Sequence, residues 1–129
     1  MSTTGAWFVL FPNARVPTEE AVIATLSTLR SAKVTDLGDM EFTVITDGGS
    51  FDVALNAESY VIIETREAVE RNRDALDNAD EIATYDARFE LLFEQQDMGD
   101  LFNPILGAAE RLAKLTSGVV YESNNGVFQ

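Results

Sequence analysis

One stretch of this chain, residues 84–94 (TYDARFELLFE), limits the possible folds more than any other. From Ala87 onward, Ala87, Phe89, Leu91 and Phe93 fall on one side of an extended backbone. Arg88, Glu90, Leu92 and Glu94 fall on the other. Side chains that alternate with period two mark a strand with one face on a core and one facing water. Helix-like segments flank the stretch on both sides and need a sheet face to cover. It is therefore expected to be a middle strand.

Residues 6–11 (AWFVLF) are almost wholly apolar and rich in β-formers, so they read as a buried strand; Trp7, Phe8 and Phe11 are read as core aromatics, with the lining of a ligand pocket as the competing reading. Residues 1–5 are expected to fray. Thr18 is placed to cap a helix that carries Glu19 and Glu20 in its first turn, where the helix dipole favours negative charge. Val22, Ile23, Leu26 and Leu29 then share one side, and the pattern runs to about residue 32. Residues 34–39 read as a connection. Residues 40–46 and 51–55 alternate around Asp47-Gly48-Gly49-Ser50, which predicts a β-hairpin.

A second helix is expected from residue 59 to about 76, with Val61, Ile62, Thr65, Ala68 and Val69 on one face; a short strand at 60–63 is the competing reading. Residues 77–86 are mainly polar. Residues 95–100 read as an acidic loop before a third helix, capped by Asp100 or Asn103 and holding Pro104 in its first turn. Its buried stripe is Ile105, Ala108, Ala109, Leu112 and Leu115, and Gly118 is a natural stop. A strand at 119–121 and an Asn125-Gly126 turn into 127–128 complete the chain.

The predicted order is β-α-β-β-α-β-α-β. Its first six elements match a ferredoxin-like split β-α-β sheet with helices on one face, extended by a third helix and a C-terminal strand or hairpin. At 129 residues this is an α+β chain of single-domain size.

Residue types narrow the chemistry. The chain has no His, so Ser-His-Asp and Cys-His catalysis is excluded, as is the commonest general base. Cys is also absent, which removes disulfides, thiol chemistry and most zinc sites, and favours an intracellular, cytoplasmic setting. No catalytic, cofactor-binding or metal site is assigned. Asp97, Asp100 and Asn103 offer hard oxygen ligands, but without EF-hand spacing, and helix-capping acids look the same. Gly48-Gly49 and Gly118 belong to no phosphate-binding pattern and suit turns.

Net charge is −13, which disfavours direct contact with nucleic-acid backbone and would steer a basic partner. Residues 64–100 hold twelve acids against four bases, whereas residues 101–129 balance at two and two. The excess marks a candidate partner-binding surface at Glu67, Glu70, Asp74, Asp77, Asp80, Glu81, Glu90 and Glu94.

Residues 112–126 (LAKLTSGVVYESNNG) resemble the ending of many small bacterial α+β proteins, in which a helix stops at Gly and a Val-Val-Tyr strand turns back through Asn-Gly. Several of these are immunity proteins, which neutralise toxins in interbacterial competition. The resemblance implies a non-enzymatic binding protein that occludes a basic toxin surface, and carries over no functional residue. Two alternatives stand beside it. One is a structural or regulatory homodimer packed through an exposed sheet face near Leu92. The lesser is an enzyme using carboxylates and a divalent ion.

Overall fold

The computed structural model describes residues 4–94 and 97–129. Among these residues seven strands form one sheet: β1 (Thr4–Phe11), β2 (Lys33–Gly38), β3 (Glu41–Thr46), β4 (Gly49–Asn56), β5 (Ala87–Glu94), β6 (Val119–Glu122) and β7 (Val127–Phe128). Their order is β2-β3-β4-β5-β1-β6-β7, and every neighbouring pair is antiparallel. Four α-helices among the described residues cover the sheet: α1 (Glu19–Leu26), α2 (Val61–Arg71), α3 (Ala79–Ile82) and α4 (Met98–Thr116).

β5 lies at the middle of the sheet, as its alternation predicts. It pairs with β4 on one side and along its whole length with β1 on the other, from Thr4↔Glu94 to Phe11↔Ala87. Helices lie on both faces, which corrects the one-faced expectation. α1 and α4 bury Val22, Leu26, Leu101, Ile105 and Leu112 against Trp7, Val9, Phe11, Phe89 and Leu91. α2 and α3 bury Ala68, Val69, Ala79 and Ile82 against Leu10 and Tyr121 on the opposite face. The sheet also lacks the ferredoxin-like split order, because β1 sits between β5 and β6 and runs antiparallel to both. The physical reason lies in β1. Val9, Leu10 and Phe11 are all buried, so two apolar layers are needed, one on each side of this strand.

Several boundaries differ from the sequence expectation. Thr4 and Gly5 belong to β1 instead of fraying, whereas residues 1–3 lie outside the described residues. Thr18 caps α1 as expected, its Oγ1 accepting from the Ala21 amide at 3.1 Å. The helix ends at Leu26, however, and the chain turns through Ser31 at φ 57°. The segment read as a connection is β2, an edge strand held by backbone pairing with β3 and exposed along most of its length. The hairpin of β3 and β4 closes through Asp47-Gly48, with Thr46 opposite Gly49. α2 is helical over the ambiguous 60–63 stretch and ends at Arg71, followed by a 3-10 turn at Arg73–Ala75. The polar stretch after it contains α3.

α4 begins at Met98, so Pro104 lies inside the helix and not in its first turn; residues 95 and 96 of the expected acidic loop lie outside the described residues. Proline has no N–H, so the carbonyl four residues earlier, at Asp100, loses its helical partner. That carbonyl faces Gly48 in the hairpin turn. A Cβ built on Gly48 would stand 2.5 Å from the Asp100 oxygen. Glycine thus lets the β3–β4 turn close onto the start of α4. At the other end of α4 the left-handed residue is Ser117 (φ 53°), and the Gly118 amide bonds the Ala113 carbonyl at 2.8 Å. Gly118 serves closeness of approach, since a Cβ there would strike the Leu10 carbonyl.

Replacing Gly48 by Ala is expected to cost about 1–3 kcal/mol, because backbone and not a flexible side chain must yield. Gly99→Ala in α4 meets nothing within 4 Å and is expected to cost nothing. Urea denaturation of the two variants checks the contrast.

Candidate functional site

The second face of the sheet carries one charged residue where a core residue would stand. Arg88 on β5 is only 5% exposed. It points toward α2, and the sequence reading that put it on a water-facing side is corrected. Its surroundings come from four elements. Nε donates to Glu90 Oε2 at 2.8 Å, and Nη1 donates to Glu64 Oε1 of α2 at 2.8 Å. Its guanidinium carbon lies 4.0 Å from the centre of the Phe8 ring on β1. Asn56, at the end of β4, donates to the same Glu90 oxygen at 2.9 Å and to the Tyr60 hydroxyl at 2.7 Å. A buried charge is tolerable only when paired and hydrogen-bonded, and this network supplies both.

Beside Arg88 a cleft of about 310 Å³ opens between α2 and strands β1, β5 and β6. Phe8 and Leu10 face it from β1, Thr65 and Ala68 from α2, and Tyr121 from β6. Glu64, Glu67 and Arg71 also line it; their spacing of three and four puts them on one side of α2. Arg71 Nη2 donates to the Tyr121 hydroxyl at 3.3 Å, and this bond raises the guanidinium pKa above its ordinary value. Tyr121 is held in turn between Phe8 and Phe128, at ring separations of 6.4 and 4.7 Å.

The eight acids singled out from the sequence do not form one surface. Glu70, Asp74, Asp77, Asp80 and Glu81 lie exposed on the α2–α3 segment. Glu67 is exposed on α2 at the rim of the cleft. Arg73 joins Glu70 (Nε, 3.1 Å) to Asp80 (Nη1, 2.9 Å). It holds the Glu70 carboxyl below its ordinary pKa, and its own pKa is raised by the same contacts. Glu90 belongs to the Arg88 network and is half-buried. Glu94 ends β5, six residues beyond Arg88, or about 20 Å along an extended strand. The sequence reading missed Arg88, Arg71, Glu64 and Tyr121. A signal for Arg88 was present: it is the sole base between Arg73 and Arg111, and it sits inside an apolar strand with Glu90 two residues on, on the same face.

A separate carboxylate contact joins α1 to β2. The Glu19 carboxyl shares a hydrogen bond with Asp36, and its pKa is raised by that bond and by the negative charge beside it. Among the described residues no group of three or more acidic side chains is placed to hold a metal ion. No helix there is long and apolar enough to cross a membrane.

No protein-family model, characterised protein sequence or solved structure matches this chain.

Arg88→Gln is expected to lower stability by about 3 kcal/mol, since it leaves Glu90 half-buried without its cation. Glu64→Gln should cost under about 1 kcal/mol, because that side chain is 51% exposed. Denaturation midpoints separate the two. Asp36→Asn is expected to raise the melting temperature at pH 7. A carboxyl whose pKa is raised on folding stabilises below its ordinary value of 4.5 and loses that contribution as pH rises through the folded value. The gain should therefore vanish below about pH 4 in a melting series across pH.

Proposed function

We propose that this chain is a non-enzymatic binding protein that meets a basic protein partner through the outer side of α2 and α3. The carrying observation is that Glu67, Glu70, Asp74, Asp77, Asp80 and Glu81 are all exposed along this one segment. Glu70 and Asp80 share Arg73, whereas Glu67, Asp74, Asp77 and Glu81 make no ion pair among the described residues. Such carboxylates attract a basic surface at long range and give up little internal bonding on contact. In the immunity-type form of this reading the partner is a toxin, often a nuclease. The row of carboxylates then stands where substrate phosphates would lie. Glu90 takes no part, since it is committed to Arg88, and Glu94 lies too far along β5.

A homodimer through the sheet is the second reading. Ile45 is 44% exposed on the uncovered half of the second face, and Leu92 is half-buried there. Asp52 stands opposite both Thr43 and Leu92, so charged and polar groups interrupt this apolar surface. That pattern favours the acidic-surface reading.

The test is capture from lysate of the native host at low and high salt, with wild type beside a Glu70→Lys, Asp74→Lys, Asp77→Lys, Glu81→Lys variant. The expected result is one basic protein held by wild type, released by salt, and associating at least about tenfold more slowly with the variant. Equal association of the variant sinks the reading. Recovery of the bait alone, at a dimeric mass, moves the assignment to the homodimer.

A further inference from the structure

The cleft beside Arg88 shares only Glu67, at its rim, with the acidic outer segment, and its lining is chemically mixed. Arg88 is buried to more than nine-tenths, yet its fork is only partly used. Nε and Nη1 are bonded, and Nη2 makes no hydrogen bond among the described residues. No sealed side-chain nitrogen or oxygen among the described residues lacks a partner, so Nη2 is not closed off, and Arg88 is among the residues that line this cleft. Arg71, one helical turn from Glu67, spends one nitrogen on Tyr121 and keeps the rest of its fork. Glu67 has no ion-pair partner within 4.0 Å among the described residues. Phe8, Leu10 and Ala68 supply an apolar wall.

The charges select the ligand. A plain anion would meet two guanidiniums but also Glu64, Glu67 and, behind Arg88, Glu90, in a chain of net charge −13. A plain cation would meet Arg71 and Arg88. A molecule carrying both signs satisfies both kinds of group. About 310 Å³ lies at the small end of ligand pockets, which suits one residue-sized molecule. We propose that the cleft binds a free α-amino acid with an apolar side chain. Its carboxylate lies against Arg88 Nη2 and Arg71, its ammonium against Glu67, and its side chain against Phe8, Leu10 and Ala68. This inference does not rest on the partner-binding reading, and either can fail alone.

The test is titration of the ¹⁵N-labelled protein with L-leucine, L-methionine and L-phenylalanine, with N-acetyl-L-leucine and L-leucinamide as analogues lacking one charge each. At least one of the three amino acids should give saturable shifts at the Arg88 side chain and around Tyr121. For a leucine response, each analogue should bind at least about tenfold more weakly, because a polar group of the site is left unpaired. Arg71→Gln, an exposed position, should weaken binding of the responsive amino acid about tenfold with the spectrum otherwise folded. No saturable shift with any of the three amino acids overturns the proposal. So does N-acetyl-L-leucine or L-leucinamide binding as tightly as leucine, since the site would then read a single charge. Unchanged affinity in Arg71→Gln also overturns it.

Discussion

A guanidinium between two packed layers has to be given acceptors, and that requirement ties the second face together. Arg88 comes from β5, Glu90 from the same strand, Glu64 from α2, and Asn56 from the end of β4. Phe8 of β1 lies against its plane. Apolar packing alone leaves a helix free to slide on a sheet, since one methyl contact replaces another at small cost. A charged pair does not slide, because any shift leaves a buried charge unmatched. The Arg88–Glu64 pair adds one directional contact between β5 and α2 at a half-exposed carboxylate, while Ala68, Val69 and Ile82 supply the contact area.

The first face works by a different rule. Its core is wholly apolar at the centre, from Trp7, Phe11, Phe42 and Phe51 to Ile105 and Leu112. Backbone closeness, not charge, fixes its geometry. Gly48 admits the Asp100 carbonyl freed by Pro104, and Gly118 admits the Leu10 carbonyl. The two ends of α4 are thus each set by a glycine against a carbonyl, and α4 in turn packs on β1, β4, β5 and β6.

Much of this was legible in the sequence where burial follows period. The alternation of β5, the hairpin of β3 and β4, and the stripes of α2 and α4 follow from which residues repeat at two or at three to four, except that Leu115, expected in the α4 stripe, is 37% exposed. The rest was hidden for identifiable reasons. β2 has little burial to report, because an edge strand is held by backbone bonds that leave no side-chain pattern. Pro104 reads as a helix start because its usual place is the first turn, whereas α4 begins six residues earlier, at Met98. The second layer of helices was hidden by Arg88 itself, since a charge on an alternating strand normally marks the wet face. The same error concealed the cleft, and it turned Glu90 from a member of a buried network into an apparent surface acid.

The chain is strongly acidic, so where it places its few bases is informative. It has nine, and the cleft beside α2 takes two of them, Arg71 and Arg88, with a third, Arg73, pairing acids two residues further on. Solubility would be served as well by leaving that helix wholly acidic. Arg73 tempers the outer row of carboxylates, which remains the more exposed surface. Arg71 and Arg88 do otherwise: both line the cleft, Arg71 exposed at its rim and Arg88 buried beside Phe8, where water is scarce and each hydrogen bond is stronger. The α2–α3 segment thus presents mainly negative charge outward, with Arg66 and Arg73 exposed among it, and mixed charge toward the cleft, and these two sides suit ligands of different size and sign.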